Sequence, residues 1–155
     1  MKMPLIIALI LGLVAAGVWW LYAANHHSRQ ENMVKFESDT TEGLLRVIIQ
    51  ELDAENPRFY FIAFGKEGTD PSRLFIARFA SHVPSVRVAS AAFTLRNGKL
   101  QETASGRSGE TIQIIRVKKI KDGIAEGLVR FANLPAGQNQ FTYRIAEEDG
   151  KWILK

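Results

Sequence analysis

The chain has 155 residues, 46% of them hydrophobic and 23% charged, with a net charge of +4. With an apolar N-terminal segment set aside, about 120 residues remain, which suits one domain with one core rather than a disordered tail. Mild basicity spread along the chain argues against an electrostatic footprint for nucleic acid, and a count of zero cysteines excludes disulfides, thiolate metal sites, cysteine nucleophiles and a lipid-modified cysteine.

Residues 1–4 form a short tail. Leu5 to Ala24 reads LIIALILGLVAAGVWWLYAA and carries no charge. At about 1.5 Å per residue it covers roughly 30 Å, the thickness of a hydrocarbon core, so a transmembrane helix is expected over 5–24. Trp19, Trp20 and Tyr22 cluster at its end, where amphipathic rings favour the headgroup layer. A cleaved signal peptide is the rival reading, with Val14 and Ala16 as small residues at a cleavage site. The apolar run continues past Ala16, beyond a signal core of roughly 7–15 residues, and favours retention. Lys2 precedes the segment, and Arg29 follows it beside Glu31. A short tail before a large domain points to a single-pass signal-anchor in the inner (cytoplasmic) membrane. Its N-terminus is expected inside and the domain on the extracytoplasmic, periplasmic side. Ala8, Gly12 and Ala16 lie on one helix face and would let two spans approach as a homodimer. Such residues are common in any span, so no dimer is expected from them. His26 and His27 are adjacent, but metal sites need three or four convergent ligands and only Glu31 is near.

Residues 25–38 read as a linker, and 39–155 as the soluble domain. A helix is expected from Asp39, with Asp39 and Glu42 as a capping-box-like pair and Leu44, Ile48 and Leu52 forming the core stripe beside Leu45 and Ile49. Gly43 weakens its first turn, and Asn56-Pro57 ends it. Arg58 to Gly65 reads as a buried strand. Asp70-Pro71 reads as the start of a second helix, capped by Asp70 and ending near Ser81–Pro84. From Val86 the period becomes that of strands: Val86 to Leu95, Leu100 to Thr103, Thr111 to Ile120, Ile124 to Ala132, Gln140 to Glu147 and Lys151 to Leu154. Asn97-Gly98, Asp122-Gly123 and Asp149-Gly150 punctuate them as hairpin turns, which predicts an antiparallel meander. The expected class is therefore α+β, with two helices packed on a curved antiparallel sheet.

The hairpins at Asp122-Gly123 and Asp149-Gly150 and the terminal Gly150-Lys151-Trp152-Ile153-Leu154 resemble the closing strands of the nuclear transport factor 2-like, cone-shaped superfamily. In element order the resemblance covers most of 39–155. The chain departs from that pattern in having no obvious second helix before the first strand, and a cystatin-like fold is the alternative. The functions of the superfamily range from small-molecule enzymes to assembly domains, so the resemblance does not choose among them.

Few side chains point to chemistry. His82 is the one histidine of the domain, and Tyr60 and Tyr143 lie on strands; together they are the candidate pocket residues. Their bland readings are a helix-end polar residue and amphipathic core filling. The Gly65-Lys66-Glu67-Gly68-Thr69 loop lacks phosphate-loop spacing, and Gly106-Arg107-Ser108-Gly109 reads as a hairpin connection. Arg116, Lys118, Lys119 and Lys121 are candidates for contact with an anionic surface. Strict alternation would put Arg116 and Lys118 on one face and Lys119 and Lys121 on the other. No catalytic, metal-ligating or cofactor-binding set is expected. The functional expectation is a membrane-anchored, non-enzymatic binding or assembly domain, in contact with membrane lipid and an envelope protein rather than nucleic acid. A cone that binds or hydrolyses a small molecule is the alternative.

Overall fold

The computed structural model describes residues 17–20, 36–55, 59–83, 85–95, 99–132 and 139–155. The chain divides into two units, Met1–Lys35 and Phe36–Lys155. In the first, residues 17–20 are helical, and the side chains of Val18, Trp19 and Trp20 are exposed. The rest of the expected span lies outside the described residues, as do Tyr22, the Ala8, Gly12, Ala16 stripe and His26 and His27. No helix among the described residues is long and apolar enough to cross a membrane.

The second unit is α+β. Helix α1 (Asp39–Glu55) is followed by strand β1 (Phe59–Phe64), the short helix α2 (Arg73–Ala77) and β2 (Val86–Val88). A 3-10 turn (Ala89–Ala91) leads to β3 (Ala92–Thr94), β4 (Leu100–Glu102), β5 (Ser108–Lys121), β6 (Ile124–Phe131), β7 (Gln140–Glu148) and β8 (Lys151–Leu154). These strands form one curled sheet in the order β2-β1-β5-β6-β7-β8, with β3 paired to β4 and β4 to the start of β5.

The meander from β5 to β8 is antiparallel as expected, but the whole sheet is mixed. Strand β1 runs parallel to both of its neighbours, pairing Ile62 with Val88 and with Ile112. Asx-Gly turns report only on strands joined by tight hairpins, whereas parallel partners need a crossover and leave no turn signature. The composition of β1 did carry the information: all six residues FYFIAF are buried, as suits a strand covered on both faces.

Three local expectations are corrected. Ser38, not Asp39, caps α1: its Oγ accepts from the Thr41 backbone N–H at 3.2 Å, and its carbonyl accepts from Glu42 N–H. Asp70 caps nothing. Ser72 caps α2 by accepting from Phe75 N–H at 3.1 Å, while Asp70 accepts from Ser90 N–H at 3.0 Å and so pins the 3-10 turn. That turn breaks the expected Val86–Leu95 strand, so β2 stays on β1 while β3 leaves to pair with β4. Of the three Asx-Gly turns, Asn97-Gly98 lies outside the described residues. Asp149 and Gly150 both have positive φ, as a type I′ turn requires, whereas at Asp122-Gly123 only Gly123 does.

The core lies between α1 and one face of the sheet. Leu44, Leu45 and Ile48 meet Tyr60, Ile62 and Phe64 of β1, Ile112 and Ile114 of β5, Val129 of β6 and Ile145 of β7, all fully buried. Gly127 of β6 and Gly43 of α1 are the close-approach points, against Leu44 and Trp152. Phe75 and Phe79 close the core beside Phe64, with ring centroids 5.3 and 5.7 Å apart along the chain of three. On the other face of β1, Phe59 and Phe61 pack with Leu100 and Ala92 beneath the β3–β4 hairpin. Phe36 stacks on Phe64 at 5.3 Å, and the Glu37 carboxylate accepts from Ser72 N–H and Oγ–H, so the segment ahead of α1 is fastened to the domain.

Candidate functional site

The last turns of α1 and the segment after α2 meet over β1 and β2. Arg46, Gln50 and Asp53 follow the i, i+4, i+7 spacing of one helix face. Across from them stand Phe79 and His82, and with Ile49 these residues line an open depression of about 370 Å³. A second depression of about 290 Å³ runs between α2 and strand β2, lined by Arg73, Ile76, Val86 and Arg87 among others. Phe79 and His82 border both, so the two depressions adjoin at that pair and together make a stepped trench, whose second part lies against β2, the first strand in the sheet order.

The polar groups of the trench are tied to one another. The Tyr60 hydroxyl, fully buried, donates to Asp53 Oδ1 at 2.7 Å. His82 Nε2 stands 3.3 Å from Asp53 Oδ2, near enough for charge attraction but out of line for a hydrogen bond, so the contact is electrostatic proximity alone. The His82 ring lies 5.9 Å from that of Tyr60. Arg46 lies over the Phe79 ring at 4.9 Å, holds Glu42 at 2.8 Å and donates to the Arg78 carbonyl at 2.6 Å. Arg78 in turn reaches Asp39 and Glu42 at 3.0 and 3.1 Å. The hydrogen bond to Glu42 and that carboxylate's charge raise the Arg78 guanidinium above its ordinary value, with Asp39 adding to both.

Of the candidate pocket residues, the structure therefore brings Tyr60 and His82 together through Asp53. Tyr143 is separate: it stands on β7, three strands from β1, edge-to-face with Phe131 at 6.4 Å. Burial pushes its phenol above the usual value of 10.0, and the charges of Glu51 and Glu110 push the same way. Asp53 and Arg46 went unnoticed in the sequence, although a polar stripe at helical spacing beside the apolar one was there to be read.

The two glycine loops are closed on themselves. Phe64 and Thr69 exchange both backbone hydrogen bonds across 65–68, and Gln113 Nε2 takes the carbonyls of Gly65 and Lys66. At 105–109 the Ser105 hydroxyl donates to the Glu102 carboxylate, and Gly106 N–H to the Glu102 carbonyl. Glu102 is held below the ordinary carboxylate value of 4.5, chiefly by Ser105 and then by the Arg87 hydrogen bond at 3.1 Å. Among the described residues no group of three or more histidines and carboxylates is placed to hold a metal ion.

The basic run differs from expectation. Ile114 pairs with Val129 on the core face. A bulge then sets Arg116 opposite Leu128 and Lys118 opposite Glu126, and a second irregularity sets Lys121 opposite Ile124. Ile124, Glu126 and Leu128 alternate with the buried positions of β6, so they lie on the face away from α1. Arg116, Lys118 and Lys121 consequently share that outer face, and Lys119 alone is on the other, 2.9 Å from Asp122. Strict alternation fails because each extra residue in a bulge reverses the side assignment of all that follow.

No protein-family model, no curated protein and no solved structure matches this chain.

Proposed function

We propose that the chain is a membrane-anchored, non-enzymatic binding or assembly domain of a cell envelope, held by a single N-terminal span over 5–24, with the domain extracytoplasmic. The observation that carries the binding reading is the pair of open depressions adjoining at His82, one of which runs against strand β2. Small-molecule sites bury most of their ligand, whereas an open groove beside a sheet edge suits an extended polypeptide. Arg73 borders the groove and favours an acidic segment, while Arg46 and Arg87 beside it are already paired with Glu42 and Glu102. Leu74 and Val83, in the same stretch of chain, are more than four-fifths exposed (83% and 85%) and supply apolar contact. The core behind the trench is filled by Tyr60, Phe64, Phe75 and Phe79. The nuclear transport factor 2-like affinity belongs to the same reading, resting on a helix laid in a curled sheet that ends in two tight hairpins.

A photo-crosslinking residue at the exposed position Ala80, with one at Lys66 as control, tests it in the intact membrane. A defined protein adduct from Ala80 that is lost on Arg73→Glu is expected. Adducts to lipid and to the chain itself alone would refute the reading.

A second reading rests on a specific contact. Asp53, hydrogen-bonded by Tyr60 and beside His82, is an acid–base pair in a depression, the arrangement a small hydrolytic site would use. Under that reading Asp53→Asn and His82→Gln abolish turnover of a small substrate without changing the fold.

A further inference from the structure

The outer face of β5–β7 gathers charged residues from three strands. Register carries the cations across it. Lys118, Glu126 and Arg144 stand in one row, Arg116, Leu128 and Thr142 in the next, and Arg130 beside Gln113 and Gln140 in a third. With Lys121, five cations share the face with Glu126 and, at the end of β7, Glu148, which is paired with Lys155; Arg116, Lys118, Lys121 and Arg144 are exposed. On the opposite side of the sheet, the acids Asp39 and Glu42 of α1 are paired with Arg46 and Arg78, and Glu51 and Asp53 follow on the same helix. Cations therefore gather on the outer face, although the net charge of the chain is small.

We propose that this face docks on the anionic headgroups of a lipid bilayer, which turns the α1 side and its trench away from the membrane. The inference rests on the tethered reading above. Three features favour lipid over other polyanions. Rows of the face carry no aromatic ring, which single-stranded nucleic acid binders use for stacking. They carry no aromatic anchor of the kind that dominates protein interfaces. A flat array of point charges instead matches a diffuse anionic surface, to which each nearby cation adds about five-fold in partitioning. Residues 25–35 can span at most about 40 Å, so a chain anchored at 5–24 keeps the domain within reach of the surface whatever its orientation.

The experiment uses the full chain reconstituted in vesicles of phosphatidylcholine alone or with phosphatidylglycerol. Because the chain has no cysteine, Thr142→Cys on the outer face and Gln50→Cys on α1 each accept a single fluorescent probe. A lipid-borne quencher should quench the Thr142 probe only in the anionic vesicles, and leave the Gln50 probe bright. In 1 M salt, where the screening length is about 3 Å, the quenching should disappear. Arg116→Gln with Arg144→Gln should lower the docked-to-undocked ratio about twenty-five-fold, and Arg116→Lys with Arg144→Lys should restore it. Equal quenching in both vesicles, or quenching at Gln50 instead, overturns the proposal. So does a Thr142 response only to an added acidic polypeptide or nucleic acid. If the chain washes off the vesicles, the tether itself fails. The docking claim is then decided by co-sedimentation with the phosphatidylglycerol vesicles that salt abolishes, and an absence of binding would refute it too.

Discussion

Glycine at position 43 looks like a defect in the first turns of α1, and in an exposed helix its replacement by alanine would stabilise by about 1 kcal/mol. The structure reverses that sign. A Cβ at Gly43 would stand 2.1 Å from Trp152 Cδ1 and 2.4 Å from Cγ, where carbon atoms need about 3.5 Å or more. The indole is rigid and sits on β8, so either the ring or the helix must shift by more than 1 Å, roughly the difference between those separations. Overpacking of this kind costs about 1–3 kcal/mol. Set against the gain in helix propensity, Gly43→Ala should destabilise by about 1 kcal/mol. In a Trp152→Ala background the obstacle is gone, and the same substitution should stabilise by up to about 1 kcal/mol. The double-mutant cycle should thus show a coupling of about 2 kcal/mol. Urea midpoints followed by far-UV circular dichroism measure it, since removing Trp152 leaves only Trp19 and Trp20, which lie outside the domain, to fluoresce. If Gly43→Ala raises the midpoint equally in both backgrounds, the packing of α1 on β8 described above is wrong.

Tyr60→Phe removes a buried donor to Asp53 and should cost about 1–2 kcal/mol, at the low end for a charged acceptor because water reaches the carboxylate; the urea midpoint reads it. Glu102 has a depressed pKa, so its contribution is present above its unfolded value near 4.5 and is lost as pH falls through the folded one. Thermal midpoints of wild type and Glu102→Gln should therefore differ at pH 7 and converge on acidification; a gap that stays constant with pH would count against the Ser105 and Arg87 contacts. Asp149 sits at φ 51°, where a β-branched side chain is strained. Asp149→Val should lower the thermal midpoint by several degrees, corresponding to about 1–2 kcal/mol, while Asp149→Asn leaves it nearly unchanged.

What could be read in advance was what local chemistry specifies. The apolar stripe of α1, the doubly covered β1 and the hairpins around Gly123 and Gly150 are all encoded within a few neighbouring residues. The parallel pairing of β1 was not legible, because its partners lie 26 and about fifty residues away and no turn announces them. The same limit applied to the surface. Arg130 and Arg144 join Arg116 and Lys118 only through cross-strand register, and the two bulges in β5 have no composition that marks them. At α2, Ser72 and Asp70 were both acceptable caps by residue type. The choice between them followed from the Glu37 carboxylate, which bonds Ser72 and belongs to a segment read as linker.

The position of β1 also has a consequence for how the domain comes into being. Within the domain, helix α1 and β1 leave the ribosome before their partners: β1 needs β5, and α1 packs on β6 and β8. The β5–β8 hairpins can form from near neighbours, whereas joining β1 to β5 closes a long loop and is the slower event. The oldest part of the nascent domain is thus the last to find its place. Until Trp152 arrives, the apolar stripe of α1 stays uncovered, at the stage when aggregation or a holding chaperone would compete for it.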